Sequence, residues 1–157
     1  MMTSMMVFMI IAGAGLFGHA ITIIRLPVGV TEAVTAMGLE QAGFILVVMA
    51  LIFIMGMFLE SIAIILITTP ILMPTMVQLG IDPVWYGILL MINLELAMIT
   101  PPVGMNLFVI KGITDAPISE VVRGALPYVL LLLFGLAMLV LMPELALWLP
   151  HTAGFGL

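Results

Sequence analysis

Cysteine is absent from the 157 residues, and charge nearly so: only 7% of the chain is Asp, Glu, Lys or Arg. Without cysteine there is no disulfide and no thiolate-held metal. Three basic residues against eight acidic ones cannot neutralise a phosphate backbone, which excludes nucleic acid as a partner. A soluble domain carries about 25% charged and roughly 45–50% apolar residues. Here 65% of residues are hydrophobic and the mean hydropathy is +1.46, so a water-soluble globular fold is excluded as well. What is present is an all-α membrane chain for which the lipid bilayer is the solvent, and whose few charges partition it.

Residues 1–24 carry no charge before Arg25, and 124–143 carry none between Arg123 and Glu144. About 20 apolar helical residues cross a core of about 30 Å, so transmembrane helices are predicted over 1–25 and 119–143. The first run lacks the basic start of a signal peptide and is too long for its apolar region. Residues 26–42 read as a connection, and two forms of it stay open. One is a short interfacial helix with Thr31, Glu32, Thr35 and Gly38 on its polar side and Leu26, Val30, Ala33, Val34 and Met37 on the other. The other is a loop with a single helical turn. Residues 144–157 read as an interfacial tail, with Trp148 as its anchor.

The 43–79 run would exceed 50 Å as one helix, at about 1.5 Å per residue. It must turn, and 56–61 is the polar, glycine-containing place to do so. The first limb, 43–55, is then about 20 Å long, too short to cross. That length predicts a re-entrant hairpin over 43–79 with its tip near 56–61; two short tilted crossings with Glu60 at the far surface are the alternative. The 84–112 stretch fits one tilted crossing, yet Thr100-Pro-Pro-Val-Gly104 falls inside it. Two prolines remove two amide donors, and Pro102 drives Pro101 toward extended backbone. A discontinuous helix broken at 100–104 is therefore predicted, with half-helices over about 84–99 and 103–112; the alternative is a kinked but continuous one.

Breaks inside a bilayer suit ions and charged substrates, because half-helix ends expose carbonyls to cations and amides to anions. Gly56, Ser61, Asn93, Thr100, Pro101, Pro102, Val103, Gly104 and Asn106 are the candidate binding residues. Hydroxyl, amide and backbone oxygens are hard donors, appropriate to Na⁺. Asn93 and Thr100, seven apart, are expected on one helix face. Glu60 and Glu95 are intramembrane carboxylates by position, with structural or coupling roles. Nothing supplies a positioned nucleophile or metal cluster, so no catalytic residue and no cofactor are assigned and the chain is not read as an enzyme. Gly13-Ala-Gly-Leu-Phe-Gly18 matches a dinucleotide pattern but follows no strand; Ala14 and Gly18, four apart, fit close helix packing instead. His19 and His151 are solitary.

Several motifs occur in a fixed order: Gly56-Met-Phe-Leu-Glu60-Ser, Thr69-Pro-Ile-Leu-Met-Pro74, Leu79-Gly-Ile-Asp-Pro83, Asn93-Leu-Glu95, Thr100-Pro-Pro-Val-Gly-Met-Asn106, Arg123-Gly-Ala-Leu-Pro127 and Leu147-Trp-Leu-Pro150. Together they cover most of 12–150 and resemble the large membrane (permease) subunit of the tripartite ATP-independent periplasmic, or TRAP, transporters. The resemblance implies a multi-pass protein of the bacterial inner membrane that couples a Na⁺ gradient to uptake of organic acids such as C4-dicarboxylates or sialic acid. It also implies a periplasmic solute-binding protein and a small membrane subunit as partners. The implied fold is an elevator of two inverted repeats, of which 43–78 and 84–112 resemble the second hairpin and second discontinuous helix. Its Na⁺ site would draw on Gly56, Ser61, Thr100 and Gly104.

The family's large subunits are typically more than 400 residues, so this chain resembles their C-terminal portion. The first repeat, the missing N-terminal half of the permease, would be a further partner, and the chain alone is not expected to transport. A truncated product, a miscalled gene and one piece of a split permease are all open readings. A non-transporting helical subunit acting only in assembly is the alternative function. With the hairpin opening to the periplasm, Lys111 and Arg123 fall on the cytoplasmic side, in line with the positive-inside tendency.

Overall fold

The computed structural model describes residues 2–153, with the side chains of 2–4, 6, 7, 10, 14, 21, 34, 35 and 151 outside the description. The expectations for Ala14, Val34, Thr35 and His151 therefore lie outside the described residues. Among the described residues every regular element is helical: α1 (Met2–Ile23), α2 (Leu26–Ala36), α3 (Gln41–Gly56), α4 (Ser61–Gln78), α5 (Pro83–Met98), α6 (Met105–Thr114), α7 (Ile118–Leu141) and α8 (Pro143–Thr152). Two of them, α4 and α7, are long and apolar enough to cross a membrane. With 16 residues, α3 measures about 24 Å, short of a core of about 30 Å.

The helices start and stop where backbone chemistry requires. The Leu79-Gly-Ile-Asp-Pro83 motif ends one helix and begins the next. Gly80 adopts a left-handed φ of 67°, so its amide reaches Val77 O while the Ile81 amide reaches Met76 O at 2.9 Å, covering the last carbonyls of α4. Asp82 then caps α5, its Oδ1 accepting from the Val84 and Trp85 amides at 2.7 and 3.3 Å, with Pro83 in the first turn.

The chain forms two compact units. One joins α1, α2, the chain through Phe44 and Glu60–Ile81. In it, α4 packs against both α1 and α2. Gly18 of α1 is the point of approach, 3.8 Å separating its would-be Cβ from Pro70 Cγ, whereas Gly13 and Gly15 have open space. Residues 26–36 form a helix rather than a loop, and Thr31 is not on its solvent side. Thr31 is buried, donating to Pro27 O at 2.9 Å and lying 2.6 Å from the Thr75 hydroxyl of α4. A hydroxyl facing an apolar helix is stable only with a partner, and Thr75 provides it. The Gln41 side chain ties this unit's ends by donating to Leu79 O at 2.6 Å.

The second unit comprises Ile45–Leu59 and the chain from Asp82 on. Here α5 packs against α6, α7 and α8. Pro143 has no amide to give Leu139 O, the carbonyl four residues earlier, and the Trp85 indole donates to it instead at 2.9 Å. The stretch after 143 is thus a helix packed on α5 and α7, where the sequence suggests only a tail.

Candidate functional site

The two helix breaks have different chemistry. After α3 the chain tightens at 57–60. The Phe58 and Leu59 amides both reach Met55 O, and Glu60 caps α4 by accepting from the Ala63 amide at 3.2 Å. Gly56 is buried at the end of α3, Ser61 is half-buried at the start of α4, and Glu60 is exposed. The boundary between the compact units falls between Leu59 and Glu60, so Gly56 belongs to one and Ser61 to the other.

The second break spans 99–104. As α5 ends, the Ile99 and Thr100 amides reach only three residues back, to Leu96 O and Ala97 O, at 3.3 and 3.2 Å. The Thr100 hydroxyl donates to Leu96 O at 2.6 Å. Pro101 and Pro102, joined by a cis peptide bond, are exposed and offer no amides. Val103 is half-buried, and Gly104 opens α6 in a left-handed conformation, φ 50°. Thr100 lies beyond the last residue of α5, so the seven-residue spacing does not place it on one helical face with Asn93. The prolines end the helix at Met98, before that face can continue. The half-helices run 83–98 and 105–114, displaced by one or two residues from the sequence boundaries.

Thr100 and Gly104 are brought together. A Cβ on Gly104 would stand 3.0 Å from Thr100 O and 2.9 Å from Leu107 Cδ1, an approach that only glycine allows. Because its hydrogen is committed to Leu96 O, the Thr100 hydroxyl has only lone pairs to offer a ligand. That oxygen chemistry fits a hard cation such as Na⁺. On the other side, α6 begins without a side-chain cap; the Leu107 amide reaches Gly104 O at 2.8 Å, leaving those of Met105 and Asn106 for an anion or water, with Asn106 half-buried. One break thus carries the negative end of one dipole and the positive end of another.

Asn93 is buried and serves elsewhere: its Nδ2 donates to Met49 O of α3 at 2.9 Å. Glu95 is exposed on α5. Sequence reasoning misses a groove of about 540 Å³ in the first unit, lined by Thr31, Glu32, Pro74 and Gln78 among others. Its traces in the sequence are Thr31 and Glu32 on the polar side of 26–42 and the four-residue spacing of Pro74 and Gln78 on α4.

Residues 1–145 match the family model described as "Tripartite ATP-independent periplasmic transporter, DctM component". Over 98% of its length the chain is 42% identical to the C4-dicarboxylate TRAP transporter large permease protein DctM of Pseudomonas aeruginosa, covering 36% of that protein. It is 35% identical over 93% of its length to the isethionate TRAP transporter permease protein DctMQ of Oleidesulfovibrio alaskensis, covering 23% of it. Against the sialic acid TRAP transporter large permease protein SiaM of Vibrio cholerae the figures are 31% identity, 98% of this chain and 36% of the relative. The chain spans about a third or less of these relatives. With a family match over nearly its whole length and an all-helical apolar fold, this chain belongs to the DctM component of the TRAP transporters, a family of integral membrane permeases.

Proposed function

We propose that this sequence forms the C-terminal part of a TRAP permease, in which it contributes one half of a site for Na⁺-coupled uptake of a small organic acid in the bacterial inner membrane. The observation that carries the reading is the 99–104 break. There a donor-committed Thr100 hydroxyl and the Thr100 carbonyl meet a glycine-only approach, beside an uncapped helix N-terminus. Thr100 and Gly104 are assigned to the cation, the first amides of α6 and Asn106 to the acid's carboxylate, and the 56–61 turn is the tip of a re-entrant hairpin. A periplasmic binding protein delivers the acid, and a small membrane subunit accompanies the permease. Among relatives the named substrates include C4-dicarboxylate, isethionate and sialic acid, which supports organic acid as the class.

The test is uptake by proteoliposomes containing a complete permease that carries this sequence, measured against Na⁺ concentration. Thr100→Val should raise the Na⁺ concentration for half-maximal uptake about tenfold or more, as losing about 1.4 kcal/mol of cation binding would. Thr100→Ser should stay near the parent. An unchanged Na⁺ dependence in Thr100→Val removes this residue from the ion site. If a correctly inserted complete permease takes up nothing under any gradient, an assembly role replaces the transport reading.

A further inference from the structure

Met142 leaves the helical conformation at the end of α7, with φ −130° and ψ 75°, and α8 packs back against α5 and α7. Ala146 of α8 is buried. Glu144 and Trp148 lie two positions to either side, about 200° around the helix from it, and both are exposed. Their face holds a groove of about 500 Å³ lined by Pro143, Glu144, Leu147, Trp148 and Thr152. Its side chains are rich in electron pairs and poor in hydrogens to donate. The Thr152 hydroxyl directs its hydrogen to Trp148 O and Leu149 O, at 3.0 and 2.9 Å, and keeps its lone pairs. Glu144, one turn before Trp148, has no ion-pair partner among the described residues. The Trp148 indole N–H is the one hydrogen these lining side chains still have to donate.

We infer that this groove binds the headgroup of an aminophospholipid, with the ammonium group held by the Glu144 carboxylate and the face of Trp148. Charge selects the ammonium: an indole is the strongest aromatic partner of an organic cation, and a carboxylate stands one turn from it. After Arg123 the sequence contains no lysine or arginine, the residues that hold anionic headgroups, and Glu144 is its one acid. A zwitterionic headgroup answers the whole face, bringing an ammonium to Glu144 and a phosphate oxygen within reach of the indole N–H. The level in the bilayer follows from α7, which is long and apolar enough to cross it. Between Arg123 and Glu144 no residue is charged, a stretch of about 30 Å of helix, equal to the thickness of a hydrocarbon core. Arg123 and Glu144 thus mark its two edges, and Glu144 and Trp148 stand among headgroups, which crowd that layer more densely than any dissolved amine.

The test is native mass spectrometry of the full chain purified in detergent, titrated with phosphatidylethanolamine and with phosphatidylglycerol of the same acyl chains. Phosphatidylethanolamine should bind about fivefold or more tightly than phosphatidylglycerol, a difference of about 1 kcal/mol. Glu144→Gln should weaken its binding about tenfold, as losing about 1.4 kcal/mol would, and leave phosphatidylglycerol binding no weaker. Trp148→Leu should weaken it about threefold, the range of an exposed cation–π contact. A photoactivatable phosphatidylethanolamine, its reactive group at the start of an acyl chain, should attach within 143–152 of the unsubstituted chain, a readout independent of how the variants fold. Equal affinity for the two lipids, binding unchanged in Glu144→Gln or attachment elsewhere overturns the inference. So does displacement of the lipid by free ethanolamine, which would make a soluble amine the ligand. A dimer that excludes the lipid and is lost in Arg25→Gln would give the groove to a second copy instead.

Discussion

At Gly104 two independent constraints fall on one Cα. Its φ of 50° lies in the left-handed region, and a Cβ there would press on Thr100 O and Leu107. Gly104→Ala should therefore cost about 1–2 kcal/mol from the backbone conformation alone, more once the contacts are counted. Thermal unfolding of the purified protein in detergent checks this, and a shift no larger than that of Gly87→Ala would contradict it, since Gly87 has open space around it. The sequence makes this position legible because Pro-Pro-x-Gly leaves little choice of backbone. Asn93 is different. Its partner is a carbonyl on α3, 44 residues away, and no local pattern announces such a pairing. Asn93→Leu should destabilise by about 1 kcal/mol, the range of a buried hydrogen bond, as thermal unfolding in detergent would measure.

Among elements, the turn from α4 to α5 is written in the five residues Leu79 to Pro83, of which Gly80, Asp82 and Pro83 have local backbone roles that their residue types declare. Gly80→Ala should cost about 1 kcal/mol through its left-handed φ, measurable by chemical denaturation in mixed micelles. The helix α2 is not legible in that way. Leu26–Ala36 contains Gly29, a poor helix former, and what fixes its inner face is Thr31 meeting Thr75 across 44 residues. A double-mutant cycle with Thr31→Val and Thr75→Val should show a coupling of about 1 kcal/mol, whereas additive losses would mean that each hydroxyl is satisfied by its own helix alone. Membrane helices hide their inner faces for a general reason: both the lipid side and the core side are apolar. Leu89 and Leu96 are buried while Leu131 and Leu141 are exposed, and nothing in the residue type separates them.

For the whole molecule, composition points to helices in a membrane, while the breaks are located by local sequence, the glycine-containing 56–61 turn and the Thr100-Pro-Pro-Val-Gly104 motif. The division into two compact units is not legible, since its boundary passes through the unbroken helix α3, between Phe44 and Ile45. The wide exposure of large apolar side chains, from Met9 on α1 to Leu149 on α8, predicts firm retention in the bilayer. The chain should remain in the membrane pellet after alkaline carbonate extraction and leave only with detergent. Recovery in the carbonate supernatant would contradict an integral protein.

The indole that closes the end of α7 also makes the protein its own optical probe. Only two tryptophans are present, and Trp148 is exposed while Trp85 is 8% exposed with its N–H held by a carbonyl. Trp148→Phe would leave a single fluorophore whose emission wavelength and lifetime report on the surroundings of one indole, where the start of α5 meets the end of α7. Any change that parts these helices becomes visible as a spectral change, without attaching a dye.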